Sequence, residues 1–290
     1  MKYLKFTPLF IVLTLVMFGI FTSCNNAGEK YEKSATKNDI ESIEKTVYNV
    51  ESPKSMLMAV REACGGVDKL KSLNDVEFDY HYLYPDGRKD VSKERYIFDN
   101  EVSWAKYDIH EINVSPDLEG NIVQYFDGKN IHVYNNGSSL EDPKIVGTGQ
   151  FLRQANYMWF NMMFKLTDPG IIYQYEGQEN IEGNEYDVVK VTYDPQVTGK
   201  EQNDIFILYI NPETHMVESF RFSLPAFGFE EPVLHAQLTY EEIDGIQVIT
   251  RRIMTSPSPD GTTMVPMVDQ QLKNIKFNNG FTAEQLSKDI

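Results

Sequence analysis

Basic charge is scarce in this 290-residue sequence: 27 Lys and Arg stand against 43 Asp and Glu, for a formal net charge of −16. Phosphate-backbone binding needs clustered Lys and Arg. No basic run is present, which excludes nucleic acid as a partner and leaves no electrostatic route onto anionic lipid. Catalytic signatures are missing too. There is no G-x-S-x-G elbow, P-loop or dinucleotide fingerprint. The five histidines, His81, His110, His132, His215 and His235, are scattered over separate predicted strands without the paired spacing of a helix-borne zinc site, so no metal and no cofactor is expected. The acid pairs Glu230-Glu231 and Glu241-Glu242 read as solvated surface. A glycosidase would need two carboxylates brought across a cleft.

Cysteine occurs only twice, as Cys24 and Cys64, and the first stands in a telling place. Lys2 and Lys5 supply positive charge, Leu9 to Phe21 form an apolar run, and Thr22-Ser23 put small residues before Cys24. These are the three parts of a secretory signal. The run is shorter than the roughly 20 apolar residues a membrane span needs, and polar sequence follows at once. Phe21-Thr22-Ser23-Cys24 resembles a bacterial lipobox, with Phe21 where Leu is usual. On this reading residues 1–23 are a lipoprotein signal peptide and Cys24 is the lipidated first residue, attached to the membrane by acyl chains. Ordinary signal cleavage near Ser23 is the alternative. Loss of the leader removes two lysines and no acid, taking the formal charge to −18. With Cys24 acylated, Cys64 is left as a small buried apolar side chain.

Residues 24–52 are rich in Lys, Glu, Asn and Ser and read as a flexible polar tether. A single domain is expected over 53–290. It opens with a helix capped by Ser52, carrying Pro53 in its first turn and stopping at Gly65-Gly66, followed by a short turn at 67–73. From Asp75 the period changes to two: Val76, Phe78, Tyr80, Tyr82 and Tyr84 alternate with Glu77, Asp79 and His81. Similar strands are predicted at 88–98, 102–109, 122–126, 131–134, 171–177, 186–193, 204–210, 217–223, 233–242, 246–254 and 265–277. Asp127-Gly128, Asn136-Gly137 and Asp244-Gly245 supply hairpin turns between several of them. The predicted fold class is mainly β (α+β): a strongly curved antiparallel half-barrel of about a dozen strands with helices packed in its concave mouth.

One segment breaks the strand rhythm. Gln150 to Leu166 places Phe151, Leu152, Ala155, Met158, Trp159, Met162 and Met163 at helical spacing, with Phe160 and Phe164 widening the apolar surface. Such a helix either fills the concavity as core or lines a ligand-accepting wall. For the second role the candidates are Met158, Trp159, Met162 and Met163, since flexible Met suits varied apolar ligands. Phe227 and Phe229, in the loop Leu224-Pro-Ala-Phe-Gly-Phe229, either pack under the sheet or gate a cavity.

The stretches Phe160-Asn-Met-Met-Phe-Lys-Leu-Thr-Asp-Pro-Gly170, Tyr175-Glu-Gly177, Tyr186-Asp-Val-Val-Lys-Val-Thr-Tyr193 and Tyr209-Ile-Asn-Pro-Glu-Thr214 resemble an uncharacterised family of Gram-negative bacterial lipoproteins. Ala63-Cys-Gly-Gly66 and Ile243-Asp-Gly245 fit it as well. That family is similar in layout to the LolA, LolB and LppX lipoprotein carriers. The resemblance implies a LolA-like half-barrel over 53–290, with an apolar cavity between sheet and helices able to accept a lipid or acyl chain, and no catalytic residues. The expected function is a membrane-anchored lipoprotein binding an apolar or lipid ligand, held at the cell envelope, in the outer membrane, and facing periplasm or cell surface. A structural or assembly lipoprotein without ligand and an envelope hydrolase are the alternatives. Labelling with a clickable palmitate analogue should mark the wild-type chain and not Cys24→Ala; equal labelling of both would remove the acyl anchor.

Overall fold

The computed structural model describes residues 47–199 and 201–290. The leader, Cys24 and the tether up to residue 46 lie outside the described residues. Tyr48, at the end of the expected tether, is fixed to the folded body: its hydroxyl donates to Asp187 Oδ2 at 2.7 Å, and its ring stacks on His215.

The first helix, α1 (Pro53–Ala63), begins as its sequence demands, with Ser52 Oγ accepting from Ser55 N and Pro53 in the first turn. It ends at Gly65-Gly66, both at positive φ. At Gly65 a side chain is also sterically excluded, because a Cβ would stand 2.7 Å from the Gly245 carbonyl oxygen. A second short helix, α2 (Val67–Ser72), leads into six strands: β1 (Asp75–Leu83), β2 (Lys89–Ile97), β3 (Val102–His110), β4 (Ile122–Phe126), β5 (Ile131–Asn135) and the two-residue β6 (Ser138–Ser139). The long helix α3 (Pro143–Lys165) follows. The second half of the chain contains β7 (Ile171–Ile181), β8 (Asn184–Tyr193), the one-turn helix α4 (Pro195–Thr198), β9 (Phe206–Ile210), β10 (Val217–Leu224), β11 (Phe229–Ile243), β12 (Ile246–Pro257), β13 (Met264–Phe277) and a terminal helix α5 (Ala283–Leu286).

All thirteen strands form one open antiparallel sheet in the order β6-β5-β4-β3-β2-β1-β13-β12-β11-β10-β9-β8-β7. Two meanders are therefore joined side by side where β1 pairs with β13. This order places β6 and β7, which are consecutive in the chain, at opposite edges. The link between them must cross the whole sheet, and α3 is that link. Its 23 residues span about 35 Å. The sheet curves around it as a half-barrel, with α1 and α2 beside it. The main core lies between these helices and the concave face, from Phe78 and Tyr96 on one side to Leu208 and Phe220 on the other. On the opposite face of β3 and β4, Leu286 of α5 covers Trp104 and Val123.

The polar interior of this core pins α3. Arg153, fully buried, reaches from α3 to Glu94 of β2, also fully buried, through both terminal nitrogens, one of them at 3.0 Å. The same guanidinium donates to Gln124 Oε1 at 3.1 Å and to the Tyr107 hydroxyl at 2.5 Å. Glu94 in turn accepts from Ser92 and Tyr96. Every charged atom of the pair is thus engaged, the condition under which a buried ion pair is tolerated.

The structure departs from the sequence reading at three points. Helix α3 starts at Pro143 rather than near 150, because Asp142 caps it by accepting from Lys144 N and Ile145 N; Gly147 and Gly149 interrupt the apolar period and hide the first two turns. The short β6 has no pattern of its own to read. His215 sits in the turn between β9 and β10 at φ 58°, not on a strand. Cys64, the C-cap residue of α1, is wholly buried, and burial pushes its thiol up to about 12. In a Cys24→Ala chain a thiol reagent at pH 8 should label Cys64 only after denaturant is added; labelling of Cys64 in the native chain would contradict that burial. Replacing Glu94 alone by Leu strands the Arg153 charge and should cost about 3–5 kcal/mol in urea unfolding, whereas Glu94→Leu with Arg153→Met should recover most of it.

Candidate apolar ligand site

The C-terminal half of α3 faces the concave sheet with rings and thioethers. Trp159, half-buried, stacks on Phe220 of β10 at 5.7 Å and meets Phe206 and Phe222 edge-on. Met162 and Met163 are 4% and 2% exposed, and Met158 is half-buried against the same core. On the other flank Phe160 stacks on Phe78 of β1 at 5.2 Å and meets Tyr96 edge-on. Helix α3 therefore separates two aromatic clusters, one on each meander.

The loop after β10 turns through Pro225–Phe227 as one 3₁₀ turn and leaves Phe227 61% exposed. Its ring lies 5.7 Å from that of Phe151, itself 41% exposed on the N-terminal half of α3. Phe229 is half-buried against the main core. Of the candidate residues, the four on α3 are thus brought together against the sheet. Phe227 stands at the solvent edge of the same helix, two turns before Trp159.

Between α3 and the sheet the room expected for a ligand is occupied by side chains. A cavity of about 10 Å³ is left, lined by Phe78, Tyr80, Tyr96, Asn156, Phe160, Arg252 and Leu272. That is the size of a single water position. A wider cleft of about 510 Å³ lies elsewhere, at Arg221, Val233, His235, Pro257, Thr262 and Met264. In β10 and β11 its residues alternate with the buried Phe220, Phe222, Leu234 and Ala236, so it opens on the face turned away from α3. None of the candidate residues lines it. Among the described residues, no group of three or more His, Cys, Asp or Glu is placed to hold a metal ion.

The small cavity is chemically unusual. Arg252 of β12 is 1% exposed, and no carboxylate among the described residues pairs with it. Its Nη2 donates to the Trp159 carbonyl at 2.5 Å, its Nη1 contacts Gln270 Oε1 at 3.4 Å, and its Nε has no partner among the described residues. Burial pulls the guanidinium down from the usual arginine range, opposed by Tyr80, Tyr240 and Tyr96. The Tyr80 hydroxyl, in the same cavity, is likewise without a partner among the described residues, and burial holds it protonated far above neutral pH. Composition does not reveal these polar groups, but alternation could have. Glu94 shares its inward side with Ser92 and Tyr96, and Arg252 shares its side with Met254. Continuing the period of two through each strand puts both charges indoors.

Residues 135–228, from the end of β5 to the loop after β10, match a family of unknown function, DUF6503. No curated protein is matched by the sequence. Among solved structures, a Vibrio parahaemolyticus domain named for outer membrane lipoprotein sorting superposes with a TM-score of 0.51 at 8% identity, covering 83% of this chain and 98% of that one. A DUF1329 family protein from Desulfovibrio piger superposes at 0.50 with 11% identity, over 81% and 96% of the two chains. A LolA superfamily protein from Nitrosomonas europaea gives 0.44 at 14% identity, over 79% and 98%. At such identities the likeness is one of fold: the first two of these structures share the open, curved antiparallel half-barrel with helices in its mouth.

Proposed function

We propose that the protein is a cell-envelope lipoprotein that takes up an apolar, acyl-chain-bearing ligand between α3 and the concave face of its sheet. In this reading residues 1–23 are removed, acyl chains on Cys24 hold the protein to the outer membrane, residues from 24 to the docked Tyr48 form the tether, and the half-barrel carries the binding function. The observation that carries the proposal is the contact surface of α3. Met158, Trp159, Met162 and Met163 meet the sheet through side chains that repack readily. The same helix also runs out to an exposed Phe151–Phe227 pair that marks an entrance. The ligand chain takes the place of these side chains against the sheet, since the cavity as it stands admits no acyl chain. The fold shared with a domain named for lipoprotein sorting supports the same reading.

The filled interior favours a second reading, a structural or assembly lipoprotein that uses the half-barrel as a scaffold. One measurement separates the two. The full chain is titrated with the neutral fluorescent probe 1-N-phenylnaphthylamine, and lipids co-purifying with it are extracted and identified by mass spectrometry. Saturable binding of the probe, displaced by long-chain lipid and weakened severalfold in Trp159→Ala, is the expected result. No saturable binding and no co-purified lipid would leave the scaffold.

A further inference from the structure

Two fully buried guanidiniums, Arg153 and Arg252, lie between α3 and the sheet, and among the described residues only Arg153 meets a carboxylate, that of Glu94. Glu94 is committed to Arg153 through both its oxygens and accepts from Ser92 and Tyr96 besides. Arg252 is left with a backbone carbonyl, a long contact to an amide oxygen, and an Nε that donates to nothing among the described residues. Buried cations are ordinarily paired, because removing a charge from water is costly unless an opposite charge or full hydrogen bonding replaces the solvent. Beside it the Tyr80 hydroxyl, 5% exposed, is a second donor without an acceptor among the described residues, and the Asn156 amide completes the polar lining. Unused donors, a single uncompensated positive charge and an apolar surround describe a receptor for one anionic head on an apolar chain.

We infer that Arg252 and Tyr80 form the recognition site for the carboxylate of a long-chain fatty acid, whose hydrocarbon chain lies along the Met- and aromatic-rich surface of α3. The inference rests on the reading of the α3–sheet contact as a ligand site and adds the chemical class of its ligand. A carboxylate accepts side by side from the free Nε and from Nη2, replacing the Trp159 carbonyl at the latter, while the Tyr80 hydroxyl donates to either oxygen. One negative charge neutralises the one unpaired guanidinium. A phosphate monoester, with up to two charges and three exposed oxygens, would bring one charge too many into a space ringed by Phe78, Phe160 and Leu272. The head is therefore held deep in the fold, with the chain directed toward Trp159 and the Met residues.

The test measures displacement of 1-N-phenylnaphthylamine from the full chain by oleate, by methyl oleate, which keeps the chain and loses the charge, and by oleoyl lysophosphatidate. Oleate should displace the probe at about 10- to 100-fold lower concentration than methyl oleate, the range expected of charge-assisted hydrogen bonds. Tyr80→Phe removes only the unpartnered hydroxyl and should narrow that ratio severalfold. Arg252→Met should abolish the ratio, and Tyr80→Phe carries the test if that variant does not fold. Equal displacement by oleate and methyl oleate, or a ratio unmoved in Tyr80→Phe, overturns the carboxylate site while leaving apolar binding intact. Tighter displacement by lysophosphatidate than by oleate overturns it in favour of a phosphate head. Absence of any probe binding removes the underlying reading, and the inference with it.

Discussion

The architecture depends on one topological constraint and on the ion pair that satisfies it. Strands β6 and β7 are neighbours in sequence and stand at opposite edges of a thirteen-stranded sheet. The connection between them has to traverse the concave face. A chain crossing a sheet must satisfy its own backbone, and a helix does so internally. Apolar packing alone would let such a helix slide, because contacts among Met, Leu and Phe tolerate small shifts in register. The Arg153–Glu94 pair, bound bidentately and fixed further by Gln124 and Tyr107, removes that freedom at one point of the helix. The C-terminal half of α3, beyond this pin, meets the sheet chiefly through rings and thioethers.

This division gives the two halves of α3 different physical characters. Around Arg153 the network is fully satisfied and hence rigid. Two turns later the polar contact to the sheet is Arg252, which engages a backbone carbonyl and keeps donors unused. The fold thus combines pinning at one place on α3 with adaptable packing at another. The exposed Phe151–Phe227 pair lies beside the pinned half and the Met pair beside the adaptable half.

Much of the fold was legible because strands with one buried face announce themselves. The run from Val76 to Tyr82 alternates apolar with polar residues, and Asn136-Gly137 and Asp244-Gly245 adopt the positive φ that their hairpins need. The start of α3 was not legible: two glycines interrupted its pattern, and the Asp142-Pro143 start signal lay seven residues ahead of the apolar stripe. The candidate site was legible in its apolar part and hidden in its polar part. Met158, Trp159, Met162 and Met163 declare an apolar helix face whether that face is core or lining, and Phe227 declares a loop aromatic without saying that it meets Phe151. Glu94 and Arg252 sit among other charged residues of their strands, where a surface position is the simplest assumption.

Local chemistry determined the helix caps, the strand alternation, the hairpin turns and the acidic, cysteine-poor character, because each depends on residues a few positions apart. Only the tertiary structure decided that the two meanders join through β1 and β13, that α3 must therefore span both edges, and that the space beneath it is filled. It alone decided which buried charges meet. Glu94 and Arg153 are 59 residues apart in the chain, and Arg252 is 93 residues from the carbonyl it contacts. No periodicity can report a pairing over such separations. The outcome is set by which strands become neighbours and by how far one helix reaches.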